Sequence, residues 1–282
     1  AAQYGHGAVT KLLLDNGANV SAANINGKAA LMLAALGGHE TVTKLLLDNA
    51  ADVAAADFNG DTALIYASVG GNETVTRLLL DYGADVATAN IEGQTALMVA
   101  AQCGHEEVTR VLLDCGADVA AANIDGTTVL MCAVDGGDER ATKLLGGNGA
   151  DVAAAAAAHG HEKVTKLLLD HGADVAAADN KGVTALMCAA RGGHKKVTKL
   201  LLDYGADVAA AANTGGVTAL IYASVCGHET VAKLLLDYGA DVAAANEEGS
   251  TALMAAAKGG HEEVTKLLLD YGADVAAANE EG

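Results

Sequence analysis

The residues in this 282-residue chain best suited to chemistry are its nine histidines. His6, His39, His105, His161, His194, His228 and His261 each follow a glycine. Imidazole is a common metal ligand and an acid–base group near neutral pH. A zinc site, however, needs several donors within about 2 Å of one ion. His159 and His161 form a His-x-His pair, a weak signal for such a site. Carboxylates such as Asp81, Asp85, Asp114 and Asp118 could act as acids or bases, and Cys103, Cys115, Cys132, Cys188 and Cys226 as thiolates.

Spacing argues against each of these chemistries. The seven glycine-linked histidines recur in the same local context, one per segment. Helices packed face to face lie about 8–10 Å apart, too far for neighbouring copies to share one ion. The histidines are therefore expected to start a helix and to hydrogen-bond locally. The aspartates recur with the same frame and read as turn and solvation residues. The cysteines are odd in number, form no CxxC and replace small apolar residues, as expected of buried reduced thiols in a cytoplasmic protein. No phosphate loop or nucleophile elbow interrupts the pattern. The expectation is a protein that is not an enzyme, with no catalytic residue, cofactor or metal.

Composition narrows the partners. Asp and Glu number 36 against 17 Lys and Arg, a formal charge of −19. Such a surface repels phosphate, because affinity for nucleic acid comes largely from cations that displace counterions. Nucleic acid and anionic lipid are not expected as partners, and basic proteins or peptides are favoured. No apolar run reaches the roughly 18 residues that suggest a bilayer span, so no membrane insertion is expected. No leader pattern, basic and then apolar, opens the sequence.

The elements that position these residues follow from repetition. A frame running from Asp57 to Val86 recurs from Asn24, Asn90, Asn123, Asp179, Asn213 and Asn246, and its first four copies are 33 residues apart. In each copy Asn or Asp, with Gly three residues on, marks a tight turn. Thr62 and its equivalents can cap a first helix with Leu64, Ala67 and Ser68 on its inner stripe. Gly71 breaks the chain. A second helix runs through Val75, Leu78, Leu79 and Leu80 at helical spacing, and Gly83 ends it. Neither helix can bury its leucines alone, so neighbouring copies must stack.

The frame G-x-T-A-L-M-x-A-A-x-x-G-H-x-x-V-x-x-L-L-L-x-x-G-A-D-V resembles the ankyrin repeat over essentially the whole chain. The resemblance implies an all-α solenoid of stacked antiparallel helix pairs, with projecting turns and a concave face that grips other proteins. Two departures are steady. The family's Pro-Leu-His is Ala-Leu-Met or Ala-Leu-Ile here, as at Ala96-Leu97-Met98, and the Asn that usually follows Ala-Asp-Val is Ala, as at Ala87. Alanine favours helix, so neither change threatens the fold.

Irregular places suggest the organisation. Gly146-Gly147 stands where other copies have Leu-Asp, and the copy from Ala156 lacks its first ten positions, resuming at Gly160-His161. One extra residue near Ala212 shifts the frame. The expected layout is an N-terminal stack (1–145), an irregular joint (146–160) and a C-terminal stack (161–282). The joint is either a hinge or the mark of a missing segment. The first residues align with mid-repeat and the last with a turn, which reads as an excerpt of a longer array.

Function in an array must be sought where copies differ. The second turn residue is apolar in the first half, at Ile25, Phe58, Ile91 and Ile124, and polar in the second, at Asn180, Thr214, Glu247 and Glu280. Beside the apolar row lie Asn26, Asn59, Asp61, Glu92, Gln94 and Asp125 as a polar, acidic rim. An exposed apolar row asks for a partner, here a protein or peptide with basic and apolar residues. The competing expectation is that the four side chains pack on one another between turns. Tyr204, Tyr238 and Tyr271 form a second row, expected near helix ends as a cover for the core. The expected function is a protein–protein interaction scaffold. The alternatives are a structural subunit of a large assembly, a regulatory module of a larger protein, or an engineered or consensus array without a natural partner. Proline, at about 5% in average usage, is missing altogether.

Overall fold

The computed structural model describes residues 1–135 and 161–279. Among these, fifteen α-helices and one short 3-10 helix (Ala2–Tyr4) form the regular structure, with isolated β-bridges in the turns. The joint expected at 146–160 lies outside the described residues. What is described divides into two compact units, residues 1–124 and residues 125–135 with 161–279.

In the first unit α1 (Gly7–Asp15) is followed by three hairpins: α2 (Ala30–Leu36) with α3 (Glu40–Asp48), α4 (Ala63–Gly70) with α5 (Glu73–Asp81), and α6 (Ala96–Gln102) with α7 (Glu106–Asp114). First helices stack on first helices and second helices on second helices. The caps follow from the sequence. Thr62 and Thr95 take the extended N-cap conformation, and their hydroxyls accept the Ile65 and Met98 N–H groups. Ala29, at the same place before α2, has no hydroxyl to offer. Every residue of α4 from Ala63 to Val69 is buried, because the helix is covered by both neighbouring first helices and by its own partner. The second helices bury one stripe only, in α5 Val75, Thr76 and Leu79. Small alanines let the first helices approach closely, and the leucines fill the space between the layers.

The second unit repeats this scheme with α10 (Ala185–Gly192) and α11 (Lys195–Asp203), α12 (Ala219–Val225) and α13 (Glu229–Asp237), and α14 (Ala252–Gly259) and α15 (Glu262–Asp270). It opens on α8 (Val129–Asp135) and α9 (Glu162–Asp170), which pack on each other. The copy from Ala156, whose sequence lacks the first ten positions of the frame, thus takes α8 from the preceding copy. The His161 N–H donates to the Ala133 carbonyl at 3.1 Å, the bond that closes regular hairpins as His105 to Ala100 (3.0 Å) and His261 to Ala256 (2.9 Å).

A candidate protein-binding edge at the turns

The turns opened by Asn24, Asp57, Asn90, Asp179 and Asn246 are tied by their first residue. The Asp57 Oδ1 accepts the N–H groups of Asn59 and Asp61 at 2.9 and 3.0 Å. Asn90 does the same for Glu92 and Gln94, both at 3.0 Å. Gly60 and Gly93 carry φ of 79° and 76°, which a side chain would strain, and at both a Cβ would stand 3.0 Å from the next turn's backbone. That close approach permits a backbone ladder. The N–H of the second turn residue donates to the carbonyl of the third residue of the preceding turn: Phe58 to Asn26 at 3.3 Å, Ile91 to Asn59 at 3.0 Å and Ile124 to Glu92 at 3.1 Å. The same rung recurs in the second unit, where Asn180 donates to Asp125 at 3.0 Å, Thr214 to Lys181 at 3.4 Å and Glu247 to Gly215 at 3.0 Å.

The ladder presents the second residue's side chain outward. Ile25 is 92% exposed, Phe58 75%, Ile91 67% and Ile124 65%, although the Phe58 ring lies over Gly27. Mutual packing between turns therefore leaves most of each side chain in solvent. Asn26, Asn59 and Glu92 are exposed beside the row in the first unit, and Asp125 is exposed in the second.

Two expected rim residues are elsewhere. Asp61 is fully buried and accepts a 2.8 Å bond from the Asn90 side chain, and Gln94 is buried as well. The fifth turn residue points back under the turn rather than out of it, which corrects their assignment to the rim. Asp57 is buried beside them and accepts the Tyr66 hydroxyl at 2.7 Å, while the Lys28 ammonium stands 5.2 Å from the Tyr66 ring centroid. A polar interior therefore supports the apolar tips. The sequence marks it only through Tyr66, the one tyrosine in a first helix of the first unit.

The histidines take a role that their own repeat does not reveal. They start the second helices as expected, but their rings bond across repeats. The Nε2 of His105 meets the Val69 carbonyl at 3.1 Å, that of His228 the Arg191 carbonyl at 2.9 Å and that of His261 the Val225 carbonyl at 2.9 Å. Because a carbonyl only accepts, Nε2 carries the proton. Each ring thus caps the end of the preceding first helix, and Asn72 does so with its amide to Ala35 and Leu36, both at 3.1 Å. Burial holds the His105 pKa below its ordinary value near 6.5, against the opposing pull of the Val69 carbonyl. Among the described residues no group of three or more His, Cys, Asp or Glu could hold a metal ion. Burial also drives the Cys188 thiol up to about 12.

The tyrosine row lies at helix ends, where each hydroxyl ties one second helix to the one before it. Tyr82, Tyr204, Tyr238 and Tyr271 are 38–40% exposed. Their hydroxyls donate to Asp48, Asp170, Asp203 and Asp237, each at the end of the preceding second helix. Tyr82 lowers the pKa of Asp48, Lys166 and then Tyr204 that of Asp170, and Lys199 and then Tyr238 that of Asp203.

The family described as Ankyrin repeats (3 copies) matches residues 1–90, 87–155, 149–212 and 209–279. No curated protein matches the chain.

Proposed function

Because the chain belongs to the ankyrin repeat family, whose repeats generally serve as protein–protein interaction modules, we propose that it is a scaffold whose first unit binds a partner along Ile25, Phe58, Ile91 and Ile124. Asn26, Asn59 and Glu92 would flank that partner. The observation that carries the reading is a contrast at one ladder position. In the second unit Asn180, Thr214 and Glu247 make the same backbone rung with polar side chains. Apolar side chains are therefore unnecessary for stacking, and those of the first unit stand 65–92% exposed. Exposed apolar rows without a folding role belong to interfaces.

The partner is a protein or peptide segment with apolar side chains and basic flanks, since the chain carries a net charge of −19. The function involves no catalytic step. Five free cysteines fit a reducing, cytoplasmic setting, although only Cys132 and Cys188 are buried as expected and Cys115 and Cys226 are exposed. The test is cross-linking mass spectrometry in native extract with a photoreactive group at position 25 or 91, followed by the Phe58→Ser/Ile91→Ser variant. Partner peptides should attach at these positions, and the double variant should capture at least about tenfold less partner while keeping its helical spectrum, given hot-spot losses of 2 kcal/mol or more. Undiminished capture by the double variant refutes the reading.

A further inference from the structure

The second unit contains one repeat assembled from separated pieces. Asn123 and Asp179 both open turns, and they stand 56 residues apart, one period of 33 plus 23. Residues 136–158 number 23. Without them, Asp135-His159-Gly160-His161 falls in register with Gln102-Cys103-Gly104-His105. The bonds agree with this count. His161 closes on Ala133 at 3.1 Å, Asn180 forms the next ladder rung with Asp125 at 3.0 Å, and Arg191 of α10 pairs with Asp135 of α8 at 2.8 Å. The helix α8 packs on α9 beside it and on α10 in the next repeat, as a regular first helix does.

The sequence nevertheless offers α8 a nearer second helix, in Asp138-Glu139-Arg140-Ala141-Thr142-Lys143-Leu144-Leu145. Aligned on the histidine position, it carries Ala141 where α9 has the buried Val164, and Gly146-Gly147 where α9 has the buried Leu169 and then Asp170. The nearer segment thus lacks a core valine and a core leucine and carries two glycines that oppose helix.

We propose that α8 has two candidate partners in the sequence, that the residues at 141, 146 and 147 hand it to the farther one, and that the repeat is complete without residues 136–158. The choice decides which turns are neighbours. The turn holding Asp125 stands directly beside the turn holding Asn180, so the edge of the second unit reads on from one to the other with no turn between them.

Two variants of the whole chain, one a deletion and one a triple substitution, test this by amide hydrogen exchange. Deletion of residues 136–158 joins Asp135 to His159 and should leave protection in α8, α9 and α10 within about threefold of the parent. Ala141→Val/Gly146→Leu/Gly147→Asp restores the nearer partner and should lower protection in α9 by about tenfold or more. Loss of protection in α8 and α9 on deletion overturns the completeness of the repeat. Unchanged protection of α9 in the triple variant overturns the selection.

Discussion

Gly71 and Gly83 make a matched pair for testing the cross-repeat histidine caps. Both have positive φ, 68° and 87°, and both end helices, α4 and α5. Alanine in such a conformation costs about 1–2 kcal/mol, less about 0.4–1 kcal/mol from a stiffer unfolded chain. At Gly83 a Cβ would meet nothing within 4 Å, so Gly83→Ala should lose only this backbone difference. At Gly71 the Cβ would stand 2.6 Å from two atoms of the His105 ring. The ring cannot retreat without giving up its 3.1 Å bond to the Val69 carbonyl. Overpacking of this kind costs about 1–3 kcal/mol, so Gly71→Ala should be worse than Gly83→Ala by that amount. Removing the ring should remove the excess: in a His105→Ala background Gly71→Ala should cost no more than Gly83→Ala, a coupling of about 1–3 kcal/mol. Stacked repeats need not unfold in one step, so native-state hydrogen exchange of α4 to α7 is the assay. Equal losses at the two glycines, or additive losses with His105→Ala, would refute the idea that this ring is a fixed structural part.

Ala50 is the one non-glycine with positive φ among the described residues, at 63°, where the other copies use glycine. Ala50→Gly should therefore raise stability by about 0.5–1 kcal/mol, measured as a shift in the denaturant midpoint of the first unit; a loss would show that the Ala50 methyl is needed. The lowered pKa of His105 makes its contribution to stability pH-dependent. The unfolded chain takes up a proton near pH 6.5 while the folded chain resists it, so stability is full above that pH and falls on acidification below it. His105→Asn, which copies the arrangement at Asn72, should keep the carbonyl cap and flatten this slope in exchange measured between pH 7.5 and 5.5; an unchanged slope assigns it to other groups. Alkylation followed by mass spectrometry should modify the exposed Cys115 and Cys226 first, and Cys188, with its thiol at about 12, only after unfolding. Equal rates for Cys188 and Cys226 would contradict the packing of α10.

The fold was legible because a period of 33 residues fixes both helices and the turn at once, and threonine and glycine mark their ends. What the repeat frame cannot show is a partner one repeat away. His105 and Val69 are 36 residues apart and Tyr82 and Asp48 are 34, so the frame places each side chain without indicating what it touches. Asp61 and Gln94 were misread for a related reason. A polar residue in a turn is ordinarily solvated, but here the Asn90 side chain from the next turn donates a hydrogen bond to Asp61 and offsets the cost of its burial. The pairing of α8 with α9 was latent in the count between Asn123 and Asp179, but it needed the Ala133–His161 bond to become visible.

The strength of the proposed interaction follows from the same geometry. Full burial of an aliphatic or aromatic side chain contributes about 1.5–3 kcal/mol, so the four tips supply about 6–12 kcal/mol. Association costs about 4–15 kcal/mol. The ladder fixes the tip backbones in advance and keeps the cost towards the low end, but the balance still gives weak binding from the row alone. Electrostatics must then matter, through Glu92 beside the row and the net charge of −19. Attraction between exposed opposite charges is screened over about 8 Å at physiological salt, and its main effect is on the rate of encounter. Raising the salt from 50 to 500 mM should therefore slow association with a basic partner by about tenfold or more while dissociation changes little. Surface-plasmon measurements on the cross-linked partner, once identified, decide this. An association rate indifferent to salt would mean that the acidic surface takes no part in recognition and that the apolar tips, with whatever they dock against, act alone.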